Sequence, residues 1–184
     1  MQQHKASLAL SQLVIVDMQV KLSIAMPSAT MQLVTKHCSI LAQAASLLNI
    51  PSVLTEQYPQ GLGETLPELK QYLPHLKPVA KTAFSACGEP KFNQQLQREN
   101  SQIILAGMES HICVLQTALD LLQQGKTVFV VQDAVLSRNS DNKDNAINRL
   151  QQAGCVITNT ESVLFEWLGN ANHPAFKTLS ALIK

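Results

Sequence analysis

Short apolar runs rich in β-branched residues alternate with longer segments of helical period along this chain, and that alternation leaves few folds open. Leu13-Val14-Ile15-Val16, Ser52-Val53-Leu54-Thr55, a short run at Val79-Ala80, Ile103-Ile104-Leu105-Ala106, Val128-Phe129-Val130-Val131 and Cys155-Val156-Ile157 read as strands. Leu33, Val34, Ile40, Leu41, Ala44, Ala45, Leu47 and Leu48 make a helical stripe that Pro51 stops. A helix is expected around Lys91 to Arg98, another from Cys113 through Leu115, Ala118, Leu119 and Leu122 to Gly125, and one over Ala146, Ile147, Leu150 and Ala153. Strands alternating with helices predict an α/β class: a three-layer α/β/α, Rossmann-like fold with a mainly parallel six-stranded sheet. A chain of 184 residues, 46% hydrophobic, suits one domain over residues 1–184.

Charge narrows the partners. Fourteen Lys and Arg nearly balance thirteen Asp and Glu, and no block of like charge points to nucleic acid or a membrane surface. The expected partner is a small molecule. No stretch approaches the roughly 20 apolar residues of a membrane span. The polar start Met1-Gln2-Gln3-His4-Lys5 precedes too short an apolar run for a secretory signal, so a cytoplasmic setting is expected. Cys38, Cys87, Cys113 and Cys155 form no CxxC pair, which argues against a zinc ribbon or thioredoxin-like motif and for free thiols.

Three reactive residues fall at equivalent places: Asp17 after the first strand, Lys81 after the short one, and Cys113 where a strand breaks at Gly107 and a helix begins. In open α/β sheets ligands bind outside the carboxyl ends of the strands, so these positions can converge. A thiol at a helix's positive end is a candidate nucleophile. Each residue alone has a plainer reading: a turn acid, a surface lysine, a small buried hydrophobe. Cys38 and Cys155 are assigned to packing.

Val16-Asp17-Met18-Gln19, Lys81-Thr82-Ala83-Phe84-Ser85, Gly107-Met108-Glu109-Ser110-His111-Ile112-Cys113-Val114-Leu115-Gln116-Thr117-Ala118 and Val131-Gln132-Asp133-Ala134-Val135-Leu136-Ser137-Arg138 occur in this order across most of the chain. The set resembles the successive motifs of the isochorismatase-like cysteine hydrolase superfamily. Thr55-Glu56-Gln57-Tyr58-Pro59-Gln60-Gly61-Leu62-Gly63 and Ser162-Val163-Leu164-Phe165-Glu166-Trp167-Leu168 further resemble the branch of isochorismatase domain-containing proteins.

The resemblance implies an Asp17, Lys81, Cys113 triad and cleavage of a small-molecule carbon–nitrogen bond, an amide in the leading reading, through a thioester. Asp17 takes the thiol proton, while Lys81 and the helix dipole favour thiolate. Backbone N–H groups of the turn at Met108, Glu109 and Cys113 serve the oxyanion. The family also carries a cis non-proline peptide here, by position Met108-Glu109. Nicotinamidases of the superfamily hold a metal through an Asp-x-His pair and another His, whereas this chain has Glu56-Gln57-Tyr58 at the corresponding place, so neither metal nor other cofactor is expected. True isochorismatases lack the cysteine, and Cys113 therefore argues against isochorismate as substrate.

Gln19, Glu56, Tyr58 and Phe84 are candidates for the pocket rim. His111 is too near Cys113 along a helix to face it and reads as a capping or surface residue. Cys87 stays outside the catalytic set, and Asp133 and Arg138 read as scaffold. Val163 to Leu168, apolar on several sides, fits burial against another helix or subunit, and relatives of this kind form dimers or larger homo-oligomers. The rival functions are a non-catalytic binding or interaction module on the same fold and a thiol redox sensor using Cys113 and Cys87.

Overall fold

The computed structural model describes residues 4–184. Six strands, β1 (Ser11–Val16), β2 (Ser52–Gln57), β3 (Val79–Lys81), β4 (Gln102–Met108), β5 (Thr127–Leu136) and β6 (Val156–Thr158), form one sheet in the order β3-β2-β1-β4-β5-β6. Every pairing is parallel. Parallel strands are covered on both faces, so Leu13 to Val16 of β1 and Ile103 to Ala106 of β4 are buried and apolar without alternation.

The side chains still divide by strand period. Leu13, Ile15, Leu54, Ile104, Phe129 and Val131 point to one layer, where α2 (Ser28–Leu47) and α8 (Thr160–Leu168) supply Val34, Leu41, Val163 and Trp167. Val14, Val16, Val53, Ile103, Leu105 and Val130 point to the other, against Phe92 of α5 (Pro90–Gln95), Ala118 and Leu121 of α6 (Leu115–Gln123) and Leu150 of α7 (Ser140–Gln152). This is the three-layer α/β/α arrangement. Short helices α1 (Val20–Ile24), α3 (Pro59–Leu62) and α4 (Pro67–Lys70) line the connections, and α9 (Phe176–Ala181) ends the chain.

Several expectations shift. Leu33 and Leu47 of the expected stripe are 59% and 49% exposed, because a helix lying on a sheet buries only one side. The helix expected from Lys91 to Arg98 spans Pro90–Gln95, because buried Gln12 binds the Gln95 carbonyl and the Gln97 N–H and draws the chain out of helical geometry. β5 is longer than Val128 to Val131: it bulges between its pairings Leu105 with Val130 and Gly107 with Val135. The last strand begins at Val156 rather than Cys155. Val163 to Leu168 is occupied within its own chain: Val163, Leu164, Trp167 and Leu168 are buried, and the Trp167 indole donates to Ser11 Oγ at 2.9 Å. This is the first of the two expected outcomes, burial against other elements, and Phe165, 41% exposed, stands edge-on to Phe176.

The fold positions a site through its topology. Strand order reverses at β1, which has β2 on one side and β4 on the other, and the carboxyl ends at such a switch point form a crevice. Among the described residues no helix is long and apolar enough to cross a membrane.

Candidate active site

Beyond Val16 the backbone turns abruptly, with Asp17 in the left-handed region at φ 50°, a conformation Asp tolerates better than most residues. Neighbouring β2 fixes this turn. The Asp17 N–H reaches both the carbonyl and the hydroxyl of Thr55 at 3.2 Å, and the Thr55 hydroxyl donates to Asp17 Oδ1 at 2.6 Å. The other oxygen, Oδ2, faces the Lys81 ammonium at 2.8 Å, and both side chains are completely buried.

Lys81 closes β3, with its N–H and C=O held in the sheet edge and its carbonyl accepting from the Tyr58 N–H at 2.9 Å. Its ammonium meets four oxygens: Asp17 Oδ2 at 2.8 Å, Gln57 Oε1 at 2.5 Å, and the carbonyls of Phe84 at 3.0 Å and Ala83 at 3.2 Å. Three ammonium hydrogens are thus fully taken.

Cys113 arrives from the far side of β1. β4 ends in Gly107 and Met108, the Met108–Glu109 peptide is cis, and Ser110–Val114 form a π turn before α6 begins at Leu115. Gly107 is required: its φ is +116° and a Cβ there would fall on the Val16 backbone. Cys113 therefore lies inside a wide turn, fourth from its start, rather than at the first position of a regular helix. Its sulfur is 4.0 Å from Gln57 Oε1, the outer limit of an S–H···O contact.

The thiolate expected at rest is not favoured here. Burial pushes the Cys113 thiol from its ordinary 9.0 up to about 12, the Asp17 charge adds to the rise, and the Lys81 charge opposes it. A hydrogen bond from the thiol to Asp17 favours the protonated form, and one from Lys81 favours the ionised form. Asp17 and Lys81 thus form a buried ion pair beside a Cys113 thiol whose ionisation burial opposes.

The pocket candidates divide. Gln19 is wholly buried and clamps the Gln57 peptide: its Nε2 donates to the Gln57 and Gly63 carbonyls, and its Oε1 accepts the Gln57 N–H. Glu56 is buried with its Oε1 taken by the Thr65 N–H and hydroxyl, each at 2.7 Å, so it ties a loop. Tyr58 and Phe84 are 56% and 55% exposed. Tyr58 and Lys81 border a cleft of about 190 Å³ together with Gln60, Thr82 and Glu89. A larger cleft, about 590 Å³, lies at the opposite edge near Gln12, Asn49, Ser52 and His75, away from the triad. Size favours it, but the reactive groups lie at the carboxyl edge.

Scaffold residues hold the π turn. Glu109 accepts from the Arg138 N–H at 3.0 Å and from its Nε at 3.1 Å, joining the turn to the end of β5. His111 Nδ1 meets Ser137 Oγ at 2.9 Å, so this histidine bridges two loops. Asp133 binds the Thr160 N–H and hydroxyl, and its other oxygen lies 3.2 Å from His37. Cys87 contacts the Thr117 carbonyl, and burial pushes its thiol up to about 11. Ser110 Oγ is buried without a partner among the described residues. None of those residues forms a group of three or more His, Cys, Asp or Glu able to hold a metal ion.

Sequence reasoning missed Gln57, which joins Lys81 to Cys113. Its signal was positional: it closes β2 at the same carboxyl edge as Asp17 and Lys81, but amides carry no charge to attract notice.

Comparison with known proteins places this geometry. The Isochorismatase domain family matches residues 11–162. Isochorismatase domain-containing protein 2 of Bos taurus is 43% identical over 78% of this chain and 70% of its own length. The structure of MAR1 ribonuclease from Caenorhabditis elegans has a TM-score of 0.91 at 37% identity, covering 97% of this chain and 92% of that one. YcaC from Pseudomonas aeruginosa, with hexane-2,5-diol and covalent acrylamide, has a TM-score of 0.87 at 26% identity over 97% of this chain and 90% of its own. The family match over residues 11–162 and shared sequence across most of the chain lead to one assignment: the chain belongs to the isochorismatase domain family.

Proposed function

We propose that this protein is a cysteine hydrolase that cleaves a carbon–nitrogen bond of a small molecule, an amide, with Asp17, Lys81 and Cys113 as its catalytic residues. The observation that carries this reading is the wholly buried Asp17–Lys81 pair at the carboxyl edge, with the Cys113 sulfur 4.0 Å from the Gln57 oxygen that also accepts from Lys81. The covalent acrylamide on the P. aeruginosa relative accords with a reactive group in that protein.

In this mechanism the Cys113 proton passes to Asp17 as sulfur attacks the amide carbon, which becomes tetrahedral. Backbone N–H groups at Met108, Glu109 and Cys113 face the oxyanion. The carbon–nitrogen bond then breaks and the leaving amine takes the proton from Asp17. Water, deprotonated by Asp17, attacks the thioester, and the departing sulfur recovers a proton. Lys81 remains charged throughout and balances Asp17 and sulfur in turn. Assembly into a homo-oligomer would use exposed apolar side chains such as Ile24, 79% exposed, and Phe84, a point that light scattering decides.

The test is a panel of small amides assayed for ammonia and carboxylate release, with the Cys113→Ala variant beside the wild type and mass spectrometry for an acyl adduct. Release by the wild type alone supports the reading; release undiminished in Cys113→Ala refutes it. RNA belongs in the panel because one relative is called a ribonuclease. Cysteine-dependent RNA cleavage without amide turnover would replace the amide.

A further inference from the structure

Gln57 is held more firmly than a loop amide needs to be. Gln19 clamps its peptide from both sides, and its Nε2 donates to the Thr82 carbonyl at 2.9 Å. The amide orientation is therefore fixed, and Oε1 must face the reactive groups. There it accepts from Lys81 at 2.5 Å and lies 4.0 Å from the Cys113 sulfur.

The four acceptors around Lys81 differ in their freedom. Asp17 is charged and pinned by Thr55, and the Ala83 and Phe84 carbonyls belong to the main chain. Gln57 supplies a neutral side-chain acceptor, and it is the acceptor that also neighbours the sulfur. When Cys113 loses its proton, Lys81 needs a hydrogen for the thiolate, and Gln57 can give one up at the smallest electrostatic cost. The charged groups acting on the thiol are Asp17 and Lys81. Glu109, at the start of the same turn, is engaged with Arg138.

We infer that Gln57 is a positioning residue that occupies a Lys81 hydrogen in the resting site and yields it to the Cys113 sulfur when the thiol ionises. This rests on the triad reading but adds a claim that the triad alone does not contain. Gln57 holds the nucleophile in its thiol form until the proton has somewhere to go, and it aims Lys81 at the reaction.

The experiment is a pH profile of Cys113 alkylation by iodoacetamide, read by mass spectrometry at that cysteine, for wild type and for Gln57→Met. Methionine keeps the length but offers no strong acceptor. One freed hydrogen bond to a charged group predicts about a tenfold rise in Cys113 alkylation near neutral pH. Turnover of any amide found should fall, because Lys81 loses its aim. A more reactive thiol in a slower enzyme is the expected pair of results. Gln57→Asn keeps the amide but withdraws it, and should also speed alkylation. A profile that stays on the wild-type curve, or moves to higher pH, in variants whose melting matches the wild type overturns the inference. If the variants melt early, Gln19→Met, which loosens the same peptide from outside the site, supplies the readout: faster alkylation supports the inference and an unchanged rate counts against it. Failure of the triad reading itself would appear separately, as turnover that survives Cys113→Ala.

Discussion

Replacing Lys81 by methionine tests what the buried ion pair does for the fold. Both partners have wholly buried side chains, 2.8 Å apart, so the loss of the ammonium leaves the Asp17 carboxylate facing apolar surroundings with the Thr55 hydroxyl as its remaining side-chain donor. Breaking a buried pair in this way costs about 3–5 kcal/mol. Near 180 residues each kcal/mol moves Tm by roughly 2–4 °C, so Lys81→Met should melt about 10 °C early at neutral pH. The double variant Asp17→Asn/Lys81→Met removes both charges and should recover most of the loss, while turnover stays absent. Differential scanning calorimetry of the singles and the double, from pH 5 to pH 8, gives the coupling directly. If Lys81→Met melts within about 2 °C of wild type, or if the double is no more stable than the single, the pair is not the buried, mutually dependent unit described here.

Gly107→Ala should yield little folded protein, because the added methyl meets the Val16 backbone where β4 crosses β1 at φ +116°; recovery of soluble, wild-type-like enzyme would refute the close approach. The thiols predict alkaline sensitivity. Cys38 and Cys155 are both pushed up by burial, Cys155 to about 12 and Cys38 beyond the usual thiol range. A thiol whose folded value is raised contributes stability that is complete below its unfolded value near 9.0 and is lost as pH rises toward the folded one. Tm in reductant should therefore fall above about pH 9, and less steeply in Cys38→Ala; a flat Tm from pH 8 to pH 10.5 would exclude the effect.

The fold was legible because it rests on period and burial. Val14 and Ile15, Ile104 and Leu105, or Phe129 and Val130 face opposite layers of one sheet, and strands covered on both faces read as unbroken apolar runs. Asp17 and Lys81 were legible for a related reason: charged residues that end such runs stand where the sheet gives out. What sequence concealed came from tertiary contacts. Gln12 unwinds the end of α5 from across the molecule. The bulge of β5 follows no local signal, and it carries Asp133 out to Thr160 and His37. Glu56 reads as a rim acid until Thr65 is seen to occupy its oxygen.

The protonation of Cys113 also belongs to tertiary structure, and it alters the logic of the site. A thiol beside a lysine at the head of a helix invites the expectation of a standing thiolate. The same lysine lies 2.8 Å from a carboxylate, however, and its remaining hydrogens go to Gln57 and to two backbone carbonyls. Its charge still pulls toward the thiolate, but burial outweighs that pull and decides for the thiol. Under the proposed hydrolysis, a site arranged this way stores its reactivity in Asp17, not in the sulfur. On the proposed mechanism the proton leaves as the carbon–sulfur bond forms, when the substrate's developing oxyanion replaces the negative charge that an early thiolate would have placed in a buried pocket.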